Sequence, residues 1–334
     1  MMSNKYKTYK ENVEYREPPI NLNPKDKNLF QHEFSKKIDE SYVKVEKNVY
    51  VSNKNLLNTK KFTFYIRDTF MNFPPLKNII KPLINFSVYK YNKDFNKDIE
   101  TGVWVINNKS ENYFHWMTEV LTRVLSFSKT GKKSTILLPK NFEKLEYVPK
   151  TLELMKVSYN FYENDTFHKV NELHLTNHTA PAGNYNSRII NDLHNKLGNQ
   201  NRDLSKKRLW VSRKYSNRRF LLNEDGIENL LHKYNIEIFY PEKYSYSDQI
   251  EHYRNSEFIG GVAGAALANM LYMKKNSSVL ELRAKNDDLN NCHYSLACSL
   301  GNNFYYIICE NDDQDNSIVN PEDLEEVFKV IFKN

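Results

Sequence analysis

The sequence has few cysteines and no long apolar segment. Its three cysteines, Cys292, Cys298 and Cys309, form no Cys-x-x-Cys pair and have no histidines at the spacing of a zinc site. These spacings predict no metal site, and we expect no cofactor. The odd number of cysteines is typical of a reducing compartment. Neither a run of 18 apolar residues nor an apolar signal-peptide core occurs. These absences predict a cytoplasmic protein that is at most peripherally attached to a membrane.

Acidic residues are fewer than basic ones, which gives the 334-residue chain a net charge of +7. Such an excess suits an anionic substrate, an anionic membrane surface or nucleic acid. The lysines are scattered, however, and the interleaved aromatic and basic residues of nucleic-acid-binding modules are missing. We therefore expect no nucleic-acid partner. A hydrophobic content of 40% indicates a globular protein.

The order of polar and apolar segments predicts two domains. The polar residues 1–30 predict an N-terminal arm with little structure. Strand-like runs follow at 48–51, 62–66, 86–89 and 103–106. From Arg208 onward, strands and helices alternate with short connections, which predicts a doubly wound parallel sheet. The polar residues 198–207 predict a linker. The predicted units are an N-terminal α/β domain at 31–198, a C-terminal domain at 208–310 and a helix at 319–334.

The stretch Glu257–Glu281 predicts a strand, a turn of small residues, a helix and a second strand. The small residues around Gly264 would let a ligand approach the backbone, and the start of the helix would offer free amides to an anion such as a diphosphate. Alternatively, glycine and alanine only allow close packing of helix and strand. The pattern alone leaves both interpretations open.

A helix predicted within residues 110–125, with Ser110 or Asn112 as its cap, has His115, Glu119 and Arg123 at successive i, i+4 positions. A carboxylate one turn from an imidazole can orient it or itself accept a proton, as general base catalysis requires. The same spacing is common in ion-pair networks on exposed helix faces. The spacing alone favours the exposed network.

A basic segment follows the strand predicted at 209–211. It contains Arg213, Arg218 and Arg219, whose guanidinium groups can each pair with two diphosphate oxygens. Such a loop can equally be a solvated surface. Glu281, at the end of a predicted strand, could accept hydrogen bonds from ribose hydroxyls or form a salt bridge with Arg283.

The order of these motifs resembles glycosyltransferase family 61 over roughly residues 100–308. The matching segments are Asn112–Arg123, Ser212-Arg213 with Arg219, Asn223-Glu224, Asp248–Ile250, Gly264–Asn269 and Val279–Leu282. The resemblance implies an α/β, GT-B-like fold with two Rossmann-like domains facing a central cleft. It also implies an inverting, metal-independent transfer of a sugar from a nucleotide-sugar donor, commonly a UDP-sugar, to a glycan or glycolipid acceptor.

The resemblance also assigns roles to residues. Glu119 or His115 would be the catalytic base. Donor binding would fall to Arg213, Arg218, Arg219, Gly264, Ala265, Ala266, Asn269 and Glu281. Residues on the acceptor side or in support would be Asn112, Arg123, His178 and Gln249. No residue is assigned to a metal.

The sequence departs from the family pattern at one turn. The family usually has His-Gly-Ala-Gly-Leu-x-Asn there, whereas this chain has Ala263 for the histidine and Ala266 for the second glycine. The departure leaves an alternative open, a catalytically weak or inactive relative that binds sugar nucleotides or glycans.

Overall fold

The computed structural model describes residues 5–58, 63–70, 74–92, 98–164, 166–198, 206–285 and 291–333, without the side chains of residues 63 and 88–92. The strands are β1 Lys5–Tyr9, β2 Asn12–Tyr15, β3 Ser35–Ile38, β4 Ser41–Ser52, β5 Asn55–Asn58, β6 Thr63–Phe64, β7 Ile99–Trp104, β8 Ile136–Pro139, β9 Tyr159–Tyr162, β10 His168–Thr176, β11 Lys207–Val211, β12 Glu237–Phe239, β13 Ser256–Val262, β14 Ser278–Ala284, β15 Asn303–Asn311 and β16 Ser317–Ile318.

The α-helices are α1 Lys27–Phe30, α2 Ile66–Thr69, α3 Lys77–Asn92, α4 Tyr113–His115, α5 Leu121–Ser128, α6 Tyr147–Leu154, α7 Ser187–Gly198, α8 Glu228–Lys233, α9 Tyr246–Arg254, α10 Cys292–Leu300 and α11 Pro321–Ile331. A π-helix joins α4 to α5 at Trp116–Val120. The 3₁₀ helices are Pro24–Asp26, Gln31–Glu33, Lys140–Lys144, Asp225–Ile227, Pro241–Lys243 and Ala265–Tyr272.

Contacts divide the chain into two compact units. The first contains residues 1–12 and 39–181, and the second contains residues 13–38 and 182–334. This division differs from the continuous domain ranges predicted from the sequence, because residues 13–38 pack with the second half of the chain. Most of the predicted linker at 198–207 lies outside the described residues.

The first unit is built on a mixed sheet with strand order β6-β5-β4-β10-β7-β8-β9, and β1 pairs with β4. Strands β10, β7, β8 and β9 are parallel, whereas β4 runs antiparallel to β10. From β7 the chain proceeds to β8 and β9 and then returns to β10 on the other side of β7. The strand order therefore reverses between β7 and β10, and α/β proteins bind ligands beyond the carboxyl ends of strands at such a point.

The second unit contains the doubly wound parallel sheet that the alternating pattern predicts. Its order is β12-β11-β13-β14-β15, with β16 antiparallel to β15. On one face, Trp210, Phe258 and Leu280 form a core with Leu231 of α8 and Phe328 of α11. The chain passes from β11 to β12 on one side and returns to β13 on the other. The reversal of strand order in this unit therefore lies at β11.

The prediction of a little-structured N-terminal arm is wrong for the residues described. Strand β1 pairs with β4, and residues 13–38 belong to the second unit. There Phe30 is fully buried against Tyr294 and Tyr306, and the buried Arg16 and Glu33 form an ion pair. Composition misleads here because a few buried side chains hold a segment that is polar on average.

Two predicted strands are also changed. Residues 86–89 belong to helix α3, because the short alternating run is part of a longer helical pattern in which Phe86 is buried and Ser87 is exposed. The strand predicted at 62–66 is described only at Thr63–Phe64, and helix α2 follows from Ile66. The predicted α/β class is confirmed. The GT-B arrangement stays a prediction.

Candidate functional site

The helix that follows β7 carries the first group of candidate residues. Asn112 caps it, since the side-chain oxygen accepts a hydrogen bond from the Phe114 amide at 3.0 Å. The Trp116 indole anchors it by donating to Thr151 Oγ1 at 2.9 Å. Its middle, Trp116–Val120, is a π-helix. Short π-helical segments within α-helices occur frequently at functional sites.

His115 and Glu119 form a hydrogen-bonded pair on this helix. His115 Nδ1 lies 2.9 Å from Glu119 Oε1, and the two side chains are 20% and 3% exposed. Glu119 is buried, so the prediction of an exposed ion-pair network, which the spacing alone favours, is wrong for this residue. No hydrogen bond to the other nitrogen of His115 is found among the described residues. A buried carboxylate that orients a partly accessible imidazole is the arrangement of a histidine general base.

Arg123, one turn further along, has a structural position. It is buried, and its guanidinium donates to Thr176 Oγ1 at 3.0 Å, Thr176 O at 2.6 Å and Ile106 O at 3.2 Å. These bonds tie α5 to the segment that follows β7 and to the last residue of β10. Burial lowers the pKa of Arg123 to about 10, so it stays charged at neutral pH. Arg123 supports the carboxyl edge of the sheet where the strand order reverses.

His178 lies at the same edge of the first unit, in the loop after β10. Its Nε2 lies 3.0 Å from the carbonyl oxygen of Arg67, to which a neutral imidazole can donate. Burial and the nearby positive charge of Arg123 lower the pKa of His178 to about 4. His178 is therefore neutral at pH 7 and does not bind an anion by charge.

The depressed pKa of His178 predicts a pH-dependent contribution to stability. The unfolded chain takes up this proton near the ordinary pKa of 6.5, before the folded chain does. The stabilisation is therefore fully present above that pH and is lost as the pH falls towards 4. In His178→Gln, the drop in unfolding free energy between pH 7 and about pH 4.5 should be smaller by about 2 kcal/mol. Urea unfolding at both pH values measures this, and equal drops in wild type and variant would contradict it. His232→Gln, at an exposed histidine, is the control.

The second group of candidates surrounds a cavity of about 170 Å³ in the second unit. Its walls come from the loops after β11, β12 and β13, at the point where the strand order reverses. The lining residues are Val211, Ser212, Arg213, Pro241, Glu242, Val262, Gly264, Ala265, Ala266 and Leu267. The structure therefore brings together the arginine loop and the small-residue turn, which lie about 50 residues apart in the sequence.

Arg213 is held in this cavity by backbone acceptors. Its Nε donates to Arg219 O at 2.9 Å and its Nη2 to Arg218 O at 2.8 Å. Burial and the positive charges of Arg219 and Arg218 lower the pKa of Arg213 to about 10, so it remains a cation at neutral pH. Among the described residues, no carboxylate lies within ion-pair distance of it. Glu242 lines the same cavity and acts on Arg213 only at longer range. A cavity cation that forms no direct ion pair suits an anionic ligand.

Gly264 is required for this arrangement. A Cβ at this position would lie 2.2 Å from Arg213 Nη1, so any side chain displaces the guanidinium. Gly264 caps the 3₁₀ helix Ala265–Tyr272, whose first intrahelical hydrogen bond is Leu267 N to Gly264 O at 3.1 Å. The amides of Ala265 and Ala266 precede that bond and are available to a ligand. The helix predicted after this turn is present as a 3₁₀ helix.

Glu281 does not line the cavity. It is 2% exposed on β14, and its Oε1 lies 2.5 Å from Nδ1 of the buried His293 on α10. Burial alone would raise the pKa of Glu281, but His293, Arg283 and Arg219 lower it below its ordinary value. The carboxylate is therefore charged at neutral pH. The pairing of His293 with Glu281 could not be predicted from the sequence, because the two residues belong to separate elements, α10 and β14.

The remaining predicted residues have different surroundings. The Arg218 side chain is exposed, whereas Arg219 is half-buried and has a left-handed φ of 58°. Asn269 is buried in the 3₁₀ helix beside Tyr253 and does not line the cavity. Gln249 donates to Pro241 O at 2.9 Å, so it supports a cavity wall. Sequence reasoning missed Glu242, which belongs to no recognisable motif. It named Ser212 only as part of a matching segment and did not predict it as a lining residue.

Within the described ranges, no three histidine, cysteine, aspartate or glutamate side chains are placed to hold a metal ion. Nor does any helix in those ranges have the length and apolar character needed to cross a bilayer.

Comparison with known proteins identifies the family. No curated protein matches the chain. The model of the family described as Glycosyltransferase 61 matches residues 113–280, which is 168 of 334 residues. The matched range contains the His115–Glu119 pair, Arg213 and the turn at Gly264. The chain belongs to glycosyltransferase family 61 and is a glycosyltransferase.

Proposed function

We propose that the protein transfers a sugar with inversion from a nucleotide-sugar donor to a glycan or glycolipid acceptor, without a metal. The observation that carries this proposal is the cavity in the second unit, where Arg213 forms no ion pair with any described carboxylate and lies beside the turn at Gly264. A diphosphate is the anion that this combination suits best. We propose a UDP-sugar as donor because the resembled family commonly uses one.

In the proposed reaction, the second unit takes up the negative charge of the leaving nucleotide. Arg213, with Arg218 and Arg219 close by, and the amides of Ala265 and Ala266 would stabilise the diphosphate as the glycosidic bond breaks. Glu242 brings a carboxylate to the same cavity, where it can accept hydrogen bonds from donor hydroxyls. Glu281 is buried and does not line the cavity, so we propose that it fixes the local charge balance through His293 and Arg219 and that any contact with ribose is secondary.

The first unit supplies the base. His115 would accept the proton of the acceptor hydroxyl while the oxygen attacks the anomeric carbon from the side opposite the nucleotide. Glu119 would orient the imidazole and stabilise the imidazolium that forms. The sequence left the base open between Glu119 and His115. We favour His115, because its side chain is 20% exposed and that of Glu119 only 3%.

The alternative is a relative that binds a sugar nucleotide or glycan but turns it over slowly or not at all. It is favoured by one observation, the alanine at position 263 where the family usually has histidine. Ala263 is buried, and its amide donates to Leu282 O at 2.9 Å. Under this alternative, UDP would bind at Arg213 and no sugar would be transferred.

The proposed donor site is tested by calorimetric titration of UDP into wild type, Arg213→Ala and Lys214→Ala. Arg213→Ala should bind UDP about 10- to 100-fold more weakly than wild type, because the charge-assisted hydrogen bonds to the diphosphate are lost. Lys214 is the matched control, because it is an exposed cation of the same loop that pairs with Asp225 and does not line the cavity. The titrations are made in the same buffer with and without Mg²⁺. If Arg213→Ala binds UDP as tightly as wild type does, the proposed site is refuted.

A further inference from the structure

Helix α3 in the first unit has a protein-facing side and an exposed apolar side. On the protein-facing side, Phe86 is buried, with its ring 5.0 Å from that of Phe167 and 4.9 Å from that of Tyr50. Ile79 and Pro82, at helical spacing from Phe86, are partly buried. This contact fixes the helix to its unit and leaves the opposite side facing outward.

The exposed side is apolar. Leu76, Ile80, Leu83 and Ile84 are 67%, 43%, 38% and 57% exposed. Leu76, Ile80 and Ile84 follow one another at i, i+4 spacing, and together with Lys77, Lys81 and Asn85 they line a shallow groove. Soluble proteins expose single apolar residues routinely, but several in one contiguous stripe mark an interaction surface.

The two charged residues that line this groove are both lysines. Lys77 and Lys81 flank it, and the 16 residues of α3 contain no aspartate or glutamate. A helix about 24 Å long with an apolar stripe bordered by lysines has the pattern of a helix that lies in a membrane interface. Its aliphatic side chains can enter the acyl region while the lysines stay at the headgroups.

We propose that the surface formed by Leu76, Lys77, Ile80, Lys81 and Ile84, here called the α3 surface, binds the face of a bilayer that contains anionic lipid. Charge complementarity favours a bilayer over a second copy of this chain. A two-fold contact between copies would bring the same lysines of both molecules together, whereas anionic headgroups would attract them. The inference is independent of the proposed reaction, since the α3 surface and the candidate sites share no residues.

Vesicle flotation of the full-length protein tests the inference. The lipids are phosphatidylcholine alone and phosphatidylcholine mixed with phosphatidylglycerol. Wild type should bind the mixed vesicles and be released by salt. Ile80→Glu/Ile84→Glu should bind about 100-fold more weakly, because two apolar side chains are lost from the interface. Lys77→Gln/Lys81→Gln should bind about tenfold more weakly. Both changes are at exposed positions, so folding should be retained, as circular dichroism can check.

Leu222→Glu/Val330→Glu is the control, because it removes two exposed apolar side chains from the second unit and should bind as wild type does. Failure of wild type to bind the mixed vesicles, or equal binding by Ile80→Glu/Ile84→Glu, would overturn the inference. So would a lipid-free dimer in sedimentation analysis that Ile80→Glu/Ile84→Glu converts to monomer, because the α3 surface would then serve a second copy.

Discussion

Replacing His115 with asparagine should lower kcat by about 10²–10⁴-fold, the usual contribution of a general base. The affinity for UDP should stay within about twofold, because the imidazole is proposed to act on the acceptor and not on the nucleotide. The reason is structural: His115 is the partly accessible member of a pair whose other member, Glu119, is buried 2.9 Å away. The measurement is the release of UDP from the donor under acceptor saturation, with UDP titration alongside.

Glu119→Gln and the double variant refine this experiment. If the two residues act as one unit, the loss of kcat in the double variant should be close to that of His115→Asn alone, and not the product of both losses. Glu111→Gln is the control, since Glu111 is an exposed carboxylate just before the same helix and pairs with Lys54. If the loss of kcat in the double variant equals the product of the two single losses, His115 and Glu119 have independent roles. An active His115→Asn would remove the proposed base, and a wild type that binds UDP without turnover would favour the binding relative.

Gly264→Val should weaken UDP binding by at least about 100-fold, or about 2.7 kcal/mol. The first atom of any side chain at this position would lie 2.2 Å from Arg213 Nη1, so the guanidinium must move away from its place in the cavity. The added methyl groups would also occupy part of a space of only about 170 Å³. Because the atom displaced is the end of a flexible side chain, the thermal unfolding midpoint should change little. Calorimetry with UDP and a thermal melt measure both quantities.

Gly226→Val is the matched control for this variant. Gly226 lies in the same unit, and a Cβ built there meets no atom within 4 Å, so UDP affinity should be retained. If Gly264→Val binds UDP as tightly as Gly226→Val does, the nucleotide does not approach this turn. Loss of folding in Gly264→Val alone would make Gly264→Ala the variant to compare, since its Cβ also meets Arg213 but adds no further atoms.

Periodicity in the sequence was sufficient for much of the second unit. The alternation of strands and helices after Arg208 predicts the parallel sheet, because buried strands and amphipathic helices leave distinct patterns of apolar residues. The same reasoning failed at residues 86–89, where four residues are too few to distinguish a strand from one side of a helix. It also failed in the N-terminal segment, where average polarity hid the burial of Phe30, Arg16 and Glu33.

The sequence by itself determined the family, the helix that carries His115 and Glu119, and the turn at Gly264, because these depend on residues close together in the chain. Only the tertiary structure decided which side chains are buried and which share a cavity. It placed Arg213 against Gly264, paired Glu281 with His293 and buried Glu119 while leaving His115 partly accessible. Burial and contact across elements depend on how strands are ordered in a sheet, and local sequence patterns carry no record of that order.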